Sequence, residues 1–161
     1  MVRAYTQEHV YHHPWDRVTS AAFRKFTDPS ASTSLSHVLD VHTLSRSLDP
    51  STGRLRTTTV VDPVGRSMEV SVSNVGLRGL IEVEERSFYG PHPDDPGRRT
   101  AFRQETRIRC KPLSAITAIA GKVESRCAER FLQNSQKGRE VVERICGYLE
   151  AESTRSKSAI S

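Results

Sequence analysis

The chain has 161 residues, enough for one domain with a real core and too few for two. Hydrophobic residues make up 35% and the net charge is +5, which favours an acidic partner, nucleic acid or anionic lipid, without choosing between them. No apolar run approaches a membrane span, and the three cysteines (Cys110, Cys127 and Cys146) are odd in number and lack metal-ligand spacing.

Met1 to Glu8 has neither the apolar core of a secretory signal nor the Arg- and Ser-rich, acid-poor character of a transit peptide, so any import is expected to use no recognisable presequence. Val2 to Tyr11 is β-rich and mostly alternating, which predicts a strand. Pro14 suits the first turn of a helix, and Asp16 lies where the helix dipole favours an acid. Trp15, Val18, Ala22 and Phe26 give that helix an apolar face, and Thr27-Asp28-Pro29 ends it.

A Ser-rich loop follows to Ser34, and Leu35 to Ser45 resumes strand character, with Leu39, Val41 and Thr43 on one side. Asp49 to Gly53 reads as a turn and Arg54 to Val61 as a Thr/Val-rich strand. Asp62-Pro63-Val64-Gly65 turns the chain into Arg66 to Asn74, where Met68, Val70 and Val72 alternate inward. Leu80 to Tyr89 alternates Ile81 and Val83 against Glu82 and Glu84, and Gly90 to Arg99 is a surface loop. Thr100 to Lys111 sets Phe102, Gln104, Thr106, Ile108 and Cys110 on one face, and Arg103, Glu105, Arg107, Arg109 and Lys111 on the other.

From Pro112 to Ser153 no further proline intervenes, and Ile116, Ala120, Val123, Cys127, Phe131, Val141, Ile145 and Leu149 form one helical stripe. Cys127 therefore reads as a buried free thiol. Asn134 and Gly138 interrupt the stripe, Arg126, Arg130, Lys137 and Arg144 border it, and Glu129, Glu140, Glu143 and Glu150 are expected to face solvent. Thr154 to Ser161 is expected to be a frayed polar tail on a single domain spanning residues 1–153. The series predicts an α+β fold, with about six antiparallel strands curved around a long C-terminal helix over Leu113–Ala151. A grip of this kind leaves room for an apolar cavity between helix and sheet.

Several short segments occur in a specific order: His13-Pro14-Trp15 with Val18, Arg24-Lys25-Phe26 before Asp28-Pro29, Leu35-Ser36-His37-Val38-Leu39 and Val60-Val61-Asp62-Pro63. Ser67-Met68, Val83-Glu84-Glu85, Pro91-His92-Pro93 and Asn134-Ser135-Gln136-Lys137-Gly138-Arg139 follow. In these the chain resembles the PRELI-like (slowmo-like) lipid-transfer proteins of mitochondria, from Met1 to about Glu152. The resemblance implies a START-like helix-grip domain of the intermembrane space that carries one phospholipid, phosphatidic acid or phosphatidylserine, between the two membranes. It further implies docking on an anionic membrane surface, a small disulfide-stapled helical partner, and no cofactor or chemistry on the lipid. One departure matters: where the family has a lid loop with flanking strand ends, Thr59 here joins Val60 directly. This looks like a shortened form, in which lid-gated transfer is expected to be impaired.

Arg130, Asn134 and Lys137 follow i, i+4, i+7 and share a helix face. A phosphate head group calls for cations plus a neutral donor to fix its orientation. By themselves these residues are explained more readily as a solvated basic helix edge; the resemblance makes them head-group residues. Lys25 suits a helix C-terminus as a cation, and the resemblance makes it the basic residue facing phosphate at the cavity floor. His37 falls where the family has a histidine near the pocket, although a strand histidine is more often structural. His9, His12 and His13 read as exposed polar residues rather than a metal site, and no metal is expected. Glu85 points to the apolar side, where it would pair with an internal cation.

Two other classes compete with lipid transfer. A nucleic-acid module would use Arg103, Arg107, Arg109 and Lys111, but that face has no interleaved aromatics, so no nucleic-acid partner is expected. A helix-grip enzyme would need a titratable pair in the cavity, which nothing in the sequence demands, so the chain reads as no enzyme.

Overall fold

The computed structural model describes residues 2–25, 55–74, 81–110 and 117–158. The elements run β1 (Val2–Tyr11), α1 (Trp15–Arg24), β2 (Leu55–Asp62), β3 (Ser67–Asn74), β4 (Ile81–Pro91), β5 (Thr100–Cys110) and α2 (Thr117–Ser158). The expected strand over Leu35–Ser45, with its candidate residue His37, lies outside the described residues. The five strands form one sheet in the order β1-β5-β4-β3-β2, with every neighbouring pair antiparallel. β2 to β5 are a meander, and β1 closes the far edge by pairing with the last strand of the chain.

β2 runs unbroken through Thr59 and Val60, and its register with β3 is continuous from Leu55 opposite Asn74 to Asp62 opposite Ser67. The turn that follows was legible in the sequence. Asp62 Oδ1 accepts from Val64 N at 3.0 Å and Gly65 N at 2.9 Å, an Asx-type turn. A Cβ at Gly65 would collide with the Asp62 carboxylate, so a larger residue there would displace that side chain from the turn. β4 reaches Pro91, so the expected loop begins two residues later and is closed by His92 N donating to Arg99 O at 3.0 Å.

α1 starts one residue after Pro14, whose carbonyl accepts from Arg17 N at 3.0 Å and Val18 N at 3.1 Å. It buries Trp15, Val18, Thr19 and Ala21. Thr19 Oγ1 donates to Trp15 O at 2.9 Å, which satisfies a hydroxyl on an otherwise apolar face. Trp15 Nε1 donates to Tyr89 O at 3.1 Å and ties α1 to β4.

The core has two clusters. The larger joins Tyr11, Met68, Tyr89 and Phe102 of the sheet to Trp15, Val18 and Ala21 of α1 and to Val141, Val142, Ile145 and Cys146 of α2. The smaller contains Val83, Ile108 and Ala128, with Tyr5, Ile81 and Phe131 against it. The stripe of α2 is wider than its sequence suggests, because Val142 and Cys146 are buried as well as Val141 and Ile145. The cause is α1, which packs on α2 beside the sheet and adds a second covered side; Cys146 Sγ lies 3.9 Å from Arg17 O. Cys146 and Cys110 are buried free thiols, while the side chain of Cys127 lies outside the description.

The expected frayed tail is corrected: α2 continues to Ser158. No glycine or proline interrupts Tyr148 to Ser158, and Arg155 and Lys157 sit in the last turn, where the helix dipole favours cations. Of the acids expected in solvent, Glu143 is half-buried, while Glu150 is exposed as expected. Glu143 reaches His9 Nε2 at 3.3 Å and His13 Nε2 at 3.5 Å, and Glu150 reaches Arg17 Nη1 at 3.0 Å. His9 and His13 are thus half-buried partners at the β1–α1 corner rather than exposed polar residues, and His12 alone of the three is exposed. The reason is again α1, which brings that corner against the C-terminal half of α2.

Candidate functional site

Strand alternation and register place polar side chains in rows across the inner face of the sheet. One row runs Gln7, Gln104, Ser87, Val70, Thr59; the next runs Tyr5, Thr106, Glu85, Val72, Thr57. On one side of these rows lie Phe102, Tyr89 and Met68 of the larger cluster, and on the other Ile108 and Val83 of the smaller one. A polar belt therefore crosses the interior between two apolar ends. Polar groups in such a place are destabilising unless they are hydrogen-bonded.

α2 supplies the partners. Ser135 Oγ donates to Gln104 Oε1 and accepts from Arg139 Nη1 at 3.0 Å. Arg139 Nη1 also donates to Gln7 Oε1 at 2.6 Å. Gln104 Nε2 lies 3.4 Å from Ser87 Oγ, and the Gln104 side chain hydrogen-bonds Glu85. Ser87 and Gln104 are buried; Gln7, Glu85, Ser135 and Arg139 are half-buried.

The charged centre of the belt is Lys25 with Glu85. Lys25 is the C-cap of α1, and its ammonium reaches α2, where Nζ lies 3.7 Å from the position a Cβ on Gly138 would occupy. Gly138 is buried, and a Cβ there would make only ordinary van der Waals contact with the ammonium. Desolvation pushes the Lys25 ammonium below its usual range, opposed by the attraction of Glu85. Desolvation likewise pushes the Glu85 carboxyl up, opposed by Lys25 and by the Gln104 hydrogen bond. For both groups burial outweighs the attraction, so the pair is held by the fold rather than holding it.

The candidates proposed from sequence separate accordingly. Lys25 is in the belt, Asn134 is half-buried beside Ser135, and Arg130 and Lys137 are exposed. Glu85 does face inward, as its strand phase suggested, where it feels the charge of Lys25. Gln7, Ser87, Gln104, Ser135 and Arg139 were not singled out. The available signal was the alternation that placed Gln104 among apolar residues, and the polar run Asn134–Arg139 inside the helix stripe.

The outer face of the sheet is different in kind. Arg107 stands opposite Glu84, Arg86 opposite Glu105, and Arg109 opposite Glu82. Arg103 Nη2 lies 2.7 Å from Glu105 Oε1, and Arg109 Nη1 lies 3.8 Å from Glu82 Oε2. The arginines suggested for nucleic acid are therefore matched by acids on neighbouring strands, which removes the uniform positive surface such a platform requires. A second basic surface lies on α2. Lys122, Arg126, Arg130, Lys137, Arg144 and Arg155 are all exposed and recur at steps of four, seven and eleven along one side. Among the described residues no His, Cys, Asp and Glu group suits a metal ion, and no helix is long and apolar enough to cross a membrane.

An antiparallel sheet curved over one long C-terminal helix is the helix-grip, START-like architecture. Two solved structures share it: the Zhui aromatase/cyclase from Streptomyces sp. R1128, with a TM-score of 0.62, 12% identity and coverage of 91% of this chain and 94% of that one, and the di-domain aromatase/cyclase StfQ of the steffimycin pathway, with a TM-score of 0.60, 9% identity and coverage of 94% and 53%. At those identities the likeness is one of fold alone. The chain belongs to the PRELI-like family, whose model matches residues 55–152. It is 29% identical to the slowmo homolog of Dictyostelium discoideum, over 86% of this chain and 68% of that protein. It is 26% identical to the protein UPS2, mitochondrial, of Saccharomyces cerevisiae, over 86% and 70%.

Proposed function

We propose that the chain binds one phospholipid and carries it between the mitochondrial membranes, in the intermembrane space, without altering it chemically. The observation that carries this reading is the polar belt with Lys25 at its centre, set inside a helix-grip fold between two apolar ends. A desolvated ammonium beside amide, hydroxyl and guanidinium donors suits a phosphate, and apolar surroundings suit acyl chains. The exposed basic side of α2, which includes Arg130 and Lys137, would dock on anionic membrane, and Asn134 would orient the head group from the helix. A small disulfide-stapled helical partner would keep the chain folded between encounters.

Transfer by this chain should be slow, because β2 passes directly from Thr59 to Val60 with no lid between them. The test is fluorescent-lipid transfer between vesicles, beside a version carrying a family lid between Thr59 and Val60. Docking without efficient transfer, with transfer raised by the lid, supports the reading. Equal transfer by both refutes the lid argument, and no lipid uptake by either refutes the function.

A second reading rests on the same interior pair. A Lys25 of lowered basicity beside Glu85 is what a helix-grip enzyme acting on a carbonyl would need. Borohydride trapping of a Lys25 adduct with a carbonyl substrate would favour that reading; its absence with a panel of aldehydes and ketones favours transfer.

A further inference from the structure

Among the described residues, half of the large hydrophobic side chains left exposed fall in one short stretch, at the tip of the β2–β3 hairpin. Val64 is 94% exposed, Val60 63% and Val61 39%, and Pro63 between them is exposed as well. Strand alternation puts Val60 and Val61 on opposite faces of β2. The tip is therefore apolar on both sides and at its end, rather than along one face.

The turn holds these side chains out. Pro63 restricts its own backbone, Arg66 sits in the left-handed region at a φ of 51°, and Asp62 Oδ1 accepts from Val64 N at 3.0 Å and Gly65 N at 2.9 Å. The same contacts prepare the tip to leave water. Pro63 has no N–H and those of Val64 and Gly65 are satisfied within the turn, so few backbone donors would be stranded in an apolar medium. Asp62 and Arg66 stand one at each end of the turn, which leaves it without net charge. A folded protein surface would cover one face of the hairpin and leave the other in water. A tip this small also falls short of the roughly 800 Å² that each partner buries in a stable protein complex. A surrounding apolar medium covers both faces at once.

Resting on the membrane-docking reading above, we infer that the tip from Val60 to Arg66 is a wedge that enters the upper acyl region of a lipid bilayer, while the basic side of α2 holds the head groups. Charge brings the chain to the surface, and the wedge prolongs its stay there. The turn is set before contact, so insertion has little backbone to order.

The test uses Val64→Ser and Val64→Trp, which change a side chain that lies in solvent and leave the core untouched. Binding is read by flotation with vesicles of phosphatidylcholine and phosphatidylglycerol. Val64→Ser should bind about tenfold more weakly, the loss expected of one aliphatic side chain kept in water. Its dependence on salt should match that of the wild type, because no charge is altered. The emission of Val64→Trp, with that of buried Trp15 in the wild type subtracted, should shift to the blue on vesicles. It should also be quenched by phosphatidylcholine brominated near the glycerol end of its acyl chains.

Unchanged binding of Val64→Ser, or emission from Val64→Trp that stays that of an indole in water, overturns the inference and leaves docking through α2 intact. A wild-type dimer in sedimentation equilibrium that Val64→Ser dissolves also overturns it, and assigns the tip to a second copy of the chain. A wild type that does not float with the vesicles overturns the docking reading and the wedge with it.

Discussion

Replacing Lys25 by Met should destabilise the protein, and replacing Glu85 by Gln as well should restore much of the loss. Breaking a fully buried ion pair by removing one partner costs about 3–5 kcal/mol. Lys25 and Glu85 are both half-buried, so solvent screening reduces the expected loss to about 1–3 kcal/mol for each single variant. In a domain of this size that lowers Tm by roughly 3–10 °C. Burial shifts both groups against their charged forms, so the double variant should be at least as stable as the sum of its parts allows, with a coupling of about 1–3 kcal/mol.

The two single variants should differ in pH dependence. A carboxyl raised above its unfolded value of 4.5 contributes stability below that value and loses it as pH rises through the raised value. Without Lys25 the Glu85 carboxyl rises further, so the deficit of Lys25→Met should be small near pH 4.5 and grow with pH. An ammonium lowered from 10.5 contributes stability above that value and loses it as pH falls through the depressed one. The deficit of Glu85→Gln should therefore grow as pH falls from about 10. Urea titrations followed by circular dichroism at several pH values measure both trends. A coupling below about 0.5 kcal/mol, or parallel pH profiles, would refute the buried-pair account.

Tyr11 is fully buried, and its hydroxyl has no hydrogen-bond partner among the described residues, so Tyr11→Phe should leave stability unchanged or raise it by up to about 1 kcal/mol; a loss above that in thermal melts would mean the hydroxyl is partnered. Burial and nearby Glu143 push the Cys146 thiol from 9.0 up to about 12, which makes its thiolate about a thousandfold scarcer than in the unfolded chain. Peptide mapping after iodoacetamide at pH 8.5 should find Cys146 unmodified in the native protein and modified in urea; rapid native labelling would contradict its packing. Reversing Arg130 and Lys137 to Glu should abolish binding to phosphatidic acid vesicles, whereas reversing Arg103 and Arg107 should have little effect, because those arginines stand among Glu105, Glu84 and Glu8. Equal losses in a flotation assay would make the attraction non-specific.

Much of the fold was legible because its signals are local. The alternation of Met68, Val70 and Val72, and of Phe102 through Cys110, fixes which face of each strand is dry, and the spacing of Phe131, Val141, Ile145 and Leu149 fixes one side of α2. The second buried side of α2, at Val142 and Cys146, was not legible, because it exists only where α1 packs. The same contact turned Glu143 from solvent to His9 and His13, and set the exposed Glu150 against Arg17. Of the belt, strand phase gave the inward direction of Gln104 and Glu85, while Lys25 was marked only by its family motif. The joining contacts, such as Arg139 with Gln7 and Ser135 with Gln104, bridge residues far apart in the chain and have no local signature.

The central claim is that the interior holds one phospholipid with its phosphate at Lys25. Native mass spectrometry of the chain, purified with its helical partner from cells and left unloaded, measures this directly. The account predicts one co-purifying phospholipid per chain, present in the wild type and strongly reduced in Lys25→Met at equal folded fraction. A folded wild type that carries no lipid, or a Lys25→Met variant that retains it in full, would contradict the account.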